Sequence, residues 1–328
     1  MHIEIKKRLS IKKPQGFTLI ELLIAIPISM LVLFAVLKIF TNSIQSAHTQ
    51  TAFGRVQENG RMATELMARD IRGADYWGCM NNFPSVSNNL DTTDSDYNTY
   101  ILDMMATGGV VGADNVSSTT VSGTSVIDGT DTLTLSGTQG LSNVSIDTPY
   151  MTANSSTIHI STSSGIEVGD LILISDCENA DLFTNTSGNT DTSGSLGHNQ
   201  GNVTVTGAVN NTGLNLSTTY DNSAQILIPY VKTYFIAANT SGGNSLYQSV
   251  NSSVSELVRG ITDLQIMYGE DTTGDGSADT YSNAGSVTDM NNVLTIRVSL
   301  TSDSSSDESA TALQRIYTVT SNIRNRTL

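Results

Sequence analysis

Apolar residues are spread unevenly along the chain. Residues 17–40 read FTLIELLIAIPISMLVLFAVLKIF, with Glu21 and Lys38 as the only charges. A helix rising about 1.5 Å per residue crosses a hydrocarbon core of about 30 Å over such a run. From 41 to 72 the apolar positions thin to Phe53, Val56, Met62, Leu66 and Ile71, three to six apart, and no Pro intervenes. Arg55, Arg61, Arg69 and Arg72 alternate there with Glu58, Glu65 and Asp70, as on a solvated helix face. The pattern predicts one helix from 17 to 72, ending near Gly73, whose outer half (41–73) carries a sheet on its apolar side. Pro27 removes one backbone bond inside the span and favours a kink.

Beyond Gly73 the period shortens to two. Short β-like runs separated by turn residues fill 74–253: DTLTLSG (131–137), STIHIST (156–162), NVTVTGAV (202–209) and AQILIPYVKTYFIA (224–237). Alternation is poor within Leu171–Ile174, which predicts a strand buried on both faces. FTNTSGNTDTSGSLGHNQGN (183–202) has the composition of a mobile loop. In 254–328 the runs Leu264/Ile266/Tyr268, Leu294/Ile296/Val298 and Ile316/Thr318/Thr320 predict three strands of an antiparallel meander. The expected fold class is α+β: a long N-terminal helix packed on an antiparallel sheet, with large β-rich insertions.

Charge narrows the partners. Five of the sixteen basic residues (Lys6, Lys7, Arg8, Lys12, Lys13) precede Phe17, whereas residues 73–231 hold sixteen acids and no Lys or Arg. Such a surface repels phosphates, so nucleic acid is not expected as a direct partner of this region. Basic residues before the span keep the N-terminus in the cytoplasm and put the remainder outside. The run ends in Leu37-Lys38-Ile39-Phe40 without a small-residue cleavage site, so the span is expected to be retained. In an exported chain the two cysteines, Cys79 and Cys177, are most simply a disulfide closing a loop of about 100 residues, on the order of 4–5 kcal/mol by chain entropy. Two buried free thiols are the other reading. Four scattered His and no nucleophile, zinc or phosphate-loop motif argue against an enzyme.

The junction Gly16-Phe17-Thr18-Leu19-Ile20-Glu21, behind a basic leader (1–16), resembles the processing site of type IV prepilins and type II secretion pseudopilins. The resemblance implies cleavage between Gly16 and Phe17 by a prepilin peptidase and N-methylation of Phe17. It also implies a role in subunit assembly for Glu21. An ionised acid costs roughly 2.5–3.5 kcal/mol at the bilayer centre, and the family's acid pairs with the new amine, commonly of a neighbouring subunit. A solvated acid near the interface is the alternative.

RDIRGADYWGC (69–79), VGDLILISDC (168–177), GITDLQIMYGEDTTGDG and the terminal NIRNR resemble PilW-type minor pilins. That implies the type IV pilin fold, the Cys79–Cys177 disulfide, and a role in priming pilus assembly at or near the tip. The implied partners are other minor pilins, the major pilin and inner-membrane lipid, with the head periplasmic and, in the pilus, extracellular. A tip adhesin and a type II secretion pseudopilin are the alternative functions. DTTGDGSAD (271–279) places Asp271, Asp275 and Asp279 as in an EF-hand-like Ca2+ loop. Thr273 and Ser282 depart from that pattern, and a plain Asp-Gly turn is the competing reading.

Overall fold

The computed structural model describes residues 16–79, 86–97, 109–141, 144–161, 164–188, 194–201, 203, 205–304 and 313–326. Of the leader, only Gly16 lies within them. Helix α1 runs Leu19–Gly73, continuous through Pro27, as the periodicity predicts. Gly73 and the left-handed Asp75 (φ 61°) end it. The chain divides into two units between Ala52 and Phe53. The described part of the first unit is helical apart from residues 16–18, and its large apolar side chains are exposed.

The second unit is built on strands β1 (Val86–Asn88), β2 (Val110–Ala113), β3 (Thr120–Val121), β4 (Thr124–Ser125), β5 (Thr132–Gly140), β6 (Ile158–His159), β7 (Leu171–Ser175), β8 (Ala180–Thr184), β9 (Ser195–Leu196), β10 (Gln225–Ala238), β11 (Asn244–Val250), β12 (Ser253–Arg259), β13 (Ile261–Glu270), β14 (Thr280–Ser282), β15 (Val293–Asp303) and β16 (Gln314–Asn322). The predicted meander is present: β14-β13-β15-β16 form a four-stranded antiparallel sheet. Leu264, Ile266 and Tyr268 of β13 and Ile296, Val298 and Leu300 of β15 form one cluster with Ala63, Met67 and Ile71 of the helix. Each such aliphatic side chain taken from water contributes about 1.5–3 kcal/mol.

Two expectations about facing change. On β16 the inward residues are Tyr317, Val319 and Ser321, while Ile316 is 69% exposed. Ser321 Oγ donates to the Ala68 carbonyl at 3.1 Å, and that anchor sets the phase. On the helix, Phe53 and Met62 are exposed. The packing stripe runs instead through Val56, Gly60, Ala63, Met67 and Ile71, because small residues let the sheet approach. A Cβ at Gly60 would fall inside the Tyr317 ring.

The larger sheet has eight strands in the order β1-β8-β7-β10-β11-β12, with β5 on the other edge of β10 and β2 on β5. It includes Ser253–Arg259, because Asn251 and Ser252, both at positive φ, make the two-residue turn between β11 and β12. Pro229 sits mid-strand without breaking β10. One neighbouring edge of β10 is occupied by β7 at 225–227 and by β11 at 232–238, and Pro229 falls in the gap between them. β7 is buried on both faces as expected: Ile172 and Ile174 enter one cluster and Leu173 another.

The insertion is less regular than its β-like runs imply. STIHIST contributes only the two residues of β6. Within NVTVTGAV, the described residues turn around Gly207 (φ 85°) and form no strand, because the Asn210 side chain takes the Val203 amide at 2.6 Å. Of the expected mobile loop, 189–193 and 202 lie outside the described residues. The remainder is ordered, with Asn185 fully buried and its side chain bonding Glu167, Ser187 and Gly197 backbone groups. Side-chain amides here replace the ladder bonds that composition alone would leave unmade.

Gly60→Val should lower the stability of the folded chain by about 1–3 kcal/mol in denaturant titrations, through overpacking against Tyr317. Gly54→Ala, with open space around the new Cβ, should raise it by about 0.5–1 kcal/mol.

Candidate functional site

The N-terminal site is a helix start. Thr18 is its cap: the Thr18 hydroxyl accepts from the Glu21 amide at 3.3 Å, and the Glu21 carboxylate accepts from the Thr18 amide at 2.9 Å and hydroxyl at 3.0 Å. This is a capping box, S/T-x-x-E, at the first turn. The acid therefore has partners within its own chain. The T-x-x-E spacing was present in the sequence and gives the box directly. Gly16 and Phe17 precede the helix, with Phe17 exposed.

The helix's other end is a dense polar junction. Asp70, expected on the solvated charged face, is an anchor. Its Oδ2 accepts from Tyr234 OH (2.6 Å), Lys232 Nζ (3.0 Å) and Gln248 Nε2 (3.2 Å), tying the helix to β10 and β11. Burial pushes the Asp70 carboxyl up, but the Tyr234 and Lys232 hydrogen bonds and the Lys232 charge outweigh it, and the net shift is downward. Five residues on, Asp75 accepts from Trp77 Nε1 (2.8 Å) through Oδ1 and pairs with Arg326 Nε (2.7 Å) through Oδ2. Arg326 also donates to the Met290 and Val293 carbonyls, and Asn325 donates to the Ala74 carbonyl at 2.8 Å. The segment closes with the Cys79–Cys177 disulfide, Cα–Cα 4.9 Å, which staples the helix-end loop to the end of β7. The disulfide is thus present, and the free-thiol alternative falls.

The three Asp of the calcium expectation are not gathered around one point. Asp271 Oδ1 accepts the amides of Thr273, Gly274 and Asp275, and Oδ2 accepts that of Gly276. Asp279 Oδ2 accepts from the Thr272 amide and hydroxyl and the Thr273 amide. Asp275 accepts from the Ser277 amide. These amides, Gly276 foremost for Asp271 and Thr272 for Asp279, hold both carboxyls below the usual range. Among the described residues, no three His, Cys, Asp or Glu are placed to hold a metal ion. The carboxylates accept amides inside the turn, the bonding of an Asp-Gly turn.

Residues 233–325 match the family model for type IV pilus-assembly protein W, PilW, and residues 11–37 match the prokaryotic N-terminal methylation motif. Comparison with curated proteins and with solved structures returned no match. The methylation motif and the long apolar helix are similar to those of prepilin-like proteins, which implies processing by a prepilin peptidase and suggests a single-span inner-membrane anchor. The C-terminal match is narrower: residues 233–325 are similar to PilW-type pilins of the type IV pilus system. Pilins of these families are structural proteins. The PilW match covers Lys232's neighbour Thr233 through Asn325 and so takes in Tyr234, Gln248 and the whole four-stranded sheet.

Because the Asp70 carboxyl is held below its ordinary value, its contribution is fully present above the unfolded pKa near 3.9. It is lost as pH falls through the lower folded value. Asp70→Asn should cost about 1.5–3 kcal/mol at neutral pH and should flatten the loss of stability below about pH 4. Denaturant midpoints measured across that range test both.

Proposed function

We propose that this chain is a minor pilin that primes pilus assembly in the inner membrane and takes a position at or near the tip. The observation that carries the reading is a match to the methylation motif, followed at once by an apolar helix whose spanning window has no residue buried within the protein. Such a surface needs lipid or neighbouring helices to cover it. The head supports low abundance. It adds an eight-stranded sheet to the four-stranded pilin sheet, and such bulk is awkward to repeat in a packed shaft. The PilW match favours a pilus role over type II secretion.

Processing leaves the capping box intact, since Thr18 and Glu21 both lie beyond the cut. The box orients the Glu21 carboxylate at the helix start, four residues from the new Phe17 amine. A carboxylate accepts several hydrogen bonds at once, so a neighbour's amine is a further partner. Docking then neutralises a charge that lipid penalises.

Three variants in the native host test this. Gly16→Val should leave the leader attached and the chain outside the pilus, as seen by mass spectrometry of membranes and sheared fibres. Glu21→Ala should accumulate in the membrane at normal level, yet reduce pilus number at least about tenfold. Glu21→Gln keeps an acceptor for Thr18 and loses the charge, and it should fail like alanine. Normal piliation with Glu21→Gln would show that the box alone suffices and would overturn the amine pairing. Normal piliation in a strain lacking the chain would overturn the priming role.

A further inference from the structure

The two faces of the eight-stranded sheet differ in polarity. One face carries Leu133, Leu135, Tyr234, Ile236 and Leu246 into the helix-side core. On the opposite face, directly paired positions across three strands are hydroxyls: Thr134 faces Thr233, and Thr233 faces Ser249. Thr132 extends the row along β5. This polar band lies between two small apolar clusters, one holding Leu173, Leu182 and Leu227 and the other Phe235 and Ala237.

A cleft of about 640 Å³ lies over the band, within the roughly 300–1,000 Å³ of small-molecule sites. The β3–β4 hairpin forms one wall, with Val121 packed on the Phe235 cluster. Residues 207–209 form another, with Val209 packed on the Leu182 cluster.

The floor of the cleft is a row of hydroxyls. Thr132, Thr134 and Ser249 are each 9% exposed or less. Thr134 and Thr233 hydroxyls meet at 3.0 Å, and Ser122 and Ser249 hydroxyls at 2.8 Å. In each pair one hydroxyl donates, and the proton of the other has no acceptor among the described residues. Thr132 Oγ1 makes no hydrogen bond among them either. Hydroxyls that open onto the cleft suit an occupant that can both donate and accept hydrogen bonds. Among the described residues the lining holds no Lys or Arg, and its charges are Asp96 and Asp170, so an anionic ligand meets two like charges there. Leu171 and Val209, both half-buried, offer an apolar patch. An uncharged molecule with many hydroxyls and some C–H surface matches all of this.

We propose that this cleft binds a neutral saccharide, making the head a carbohydrate-binding module in addition to an assembly subunit. The proposal stands independently of where the chain sits in the pilus.

The test uses the full oxidised chain in detergent micelles, titrated calorimetrically with cellohexaose, chitohexaose and mannohexaose, and with an oligogalacturonate as the anionic probe. At least one neutral oligosaccharide should bind with a Kd below about 1 mM, and the anionic one should not. The double variant Thr132→Val/Thr233→Val keeps side-chain shape and removes two hydroxyls. It should weaken binding at least about tenfold, while Thr318→Val on the exposed face of β16 should leave it unchanged. Should the double variant unfold, hydrogen exchange on the unaltered chain decides instead: the bound sugar should protect 120–122 and 229–234. No binding of any neutral probe at about 5 mM would mean that the cleft holds water only and would overturn the proposal. So would preference for the anionic probe, or binding with neither loss in the variant nor protection at these segments.

Discussion

Everything in the head is referred to one place, the end of helix α1, where a buried Asp75–Arg326 pair joins the two ends of the fold. Arg326 is 6% exposed at its side chain and Asp75 14%. Two such charges are expensive to remove from water, and breaking a buried pair by deleting one partner typically costs about 3–5 kcal/mol. The pair is tolerable because its remaining valences are used: Asp75 also takes the Trp77 indole, and Arg326 also takes two strand carbonyls. The last described turn of the chain is thereby held against the first turn after the helix.

Around that pair the other constraints fall into order. Asp70 fixes the helix to β10 and β11, Ser321 fixes β16 to the helix, and Cys79–Cys177 carries the same loop across to β7. Each of these is polar or covalent, and each sets register. The apolar cluster of Ala63, Met67 and Ile71 with β13 and β15 provides the bulk of the stabilisation but is far less particular about alignment. Under the proposed role one helix serves both its own sheet and other subunits. Polar anchors at the far end leave the apolar beginning of the helix free for that second use.

The sequence was a good guide wherever one side chain's environment follows from its own neighbours. The helix limits, the β13–β15–β16 meander and the doubly buried β7 all follow from periodicity. It was a poorer guide where a polar residue's partner is remote. Asp70 reads as one more charge on a solvated face, because Lys232 and Tyr234 lie more than 160 positions away. The strings RDIRGADYWGC and NIRNR stood out separately by resemblance, yet nothing in either says that Asp75 of one meets Arg326 of the other. In the insertion, Asn, Ser and Thr were legible only as loop composition. Asn185 and Asn211 instead satisfy backbone groups internally, and such bonding has no period to detect. The capping box was a local signal and was open to reading from Thr18 and Glu21 alone.

The Asp75–Arg326 pair is the most direct point of attack. A double-mutant cycle with Asp75→Asn and Arg326→Met, measured by denaturant unfolding of the oxidised chain at neutral pH, isolates their coupling. A coupling of at least about 1.5 kcal/mol is predicted, so that the double variant costs less than the sum of the two single variants. Additive costs, with coupling below about 0.3 kcal/mol, would mean that the helix end and the C-terminus are held by other contacts and would contradict the account.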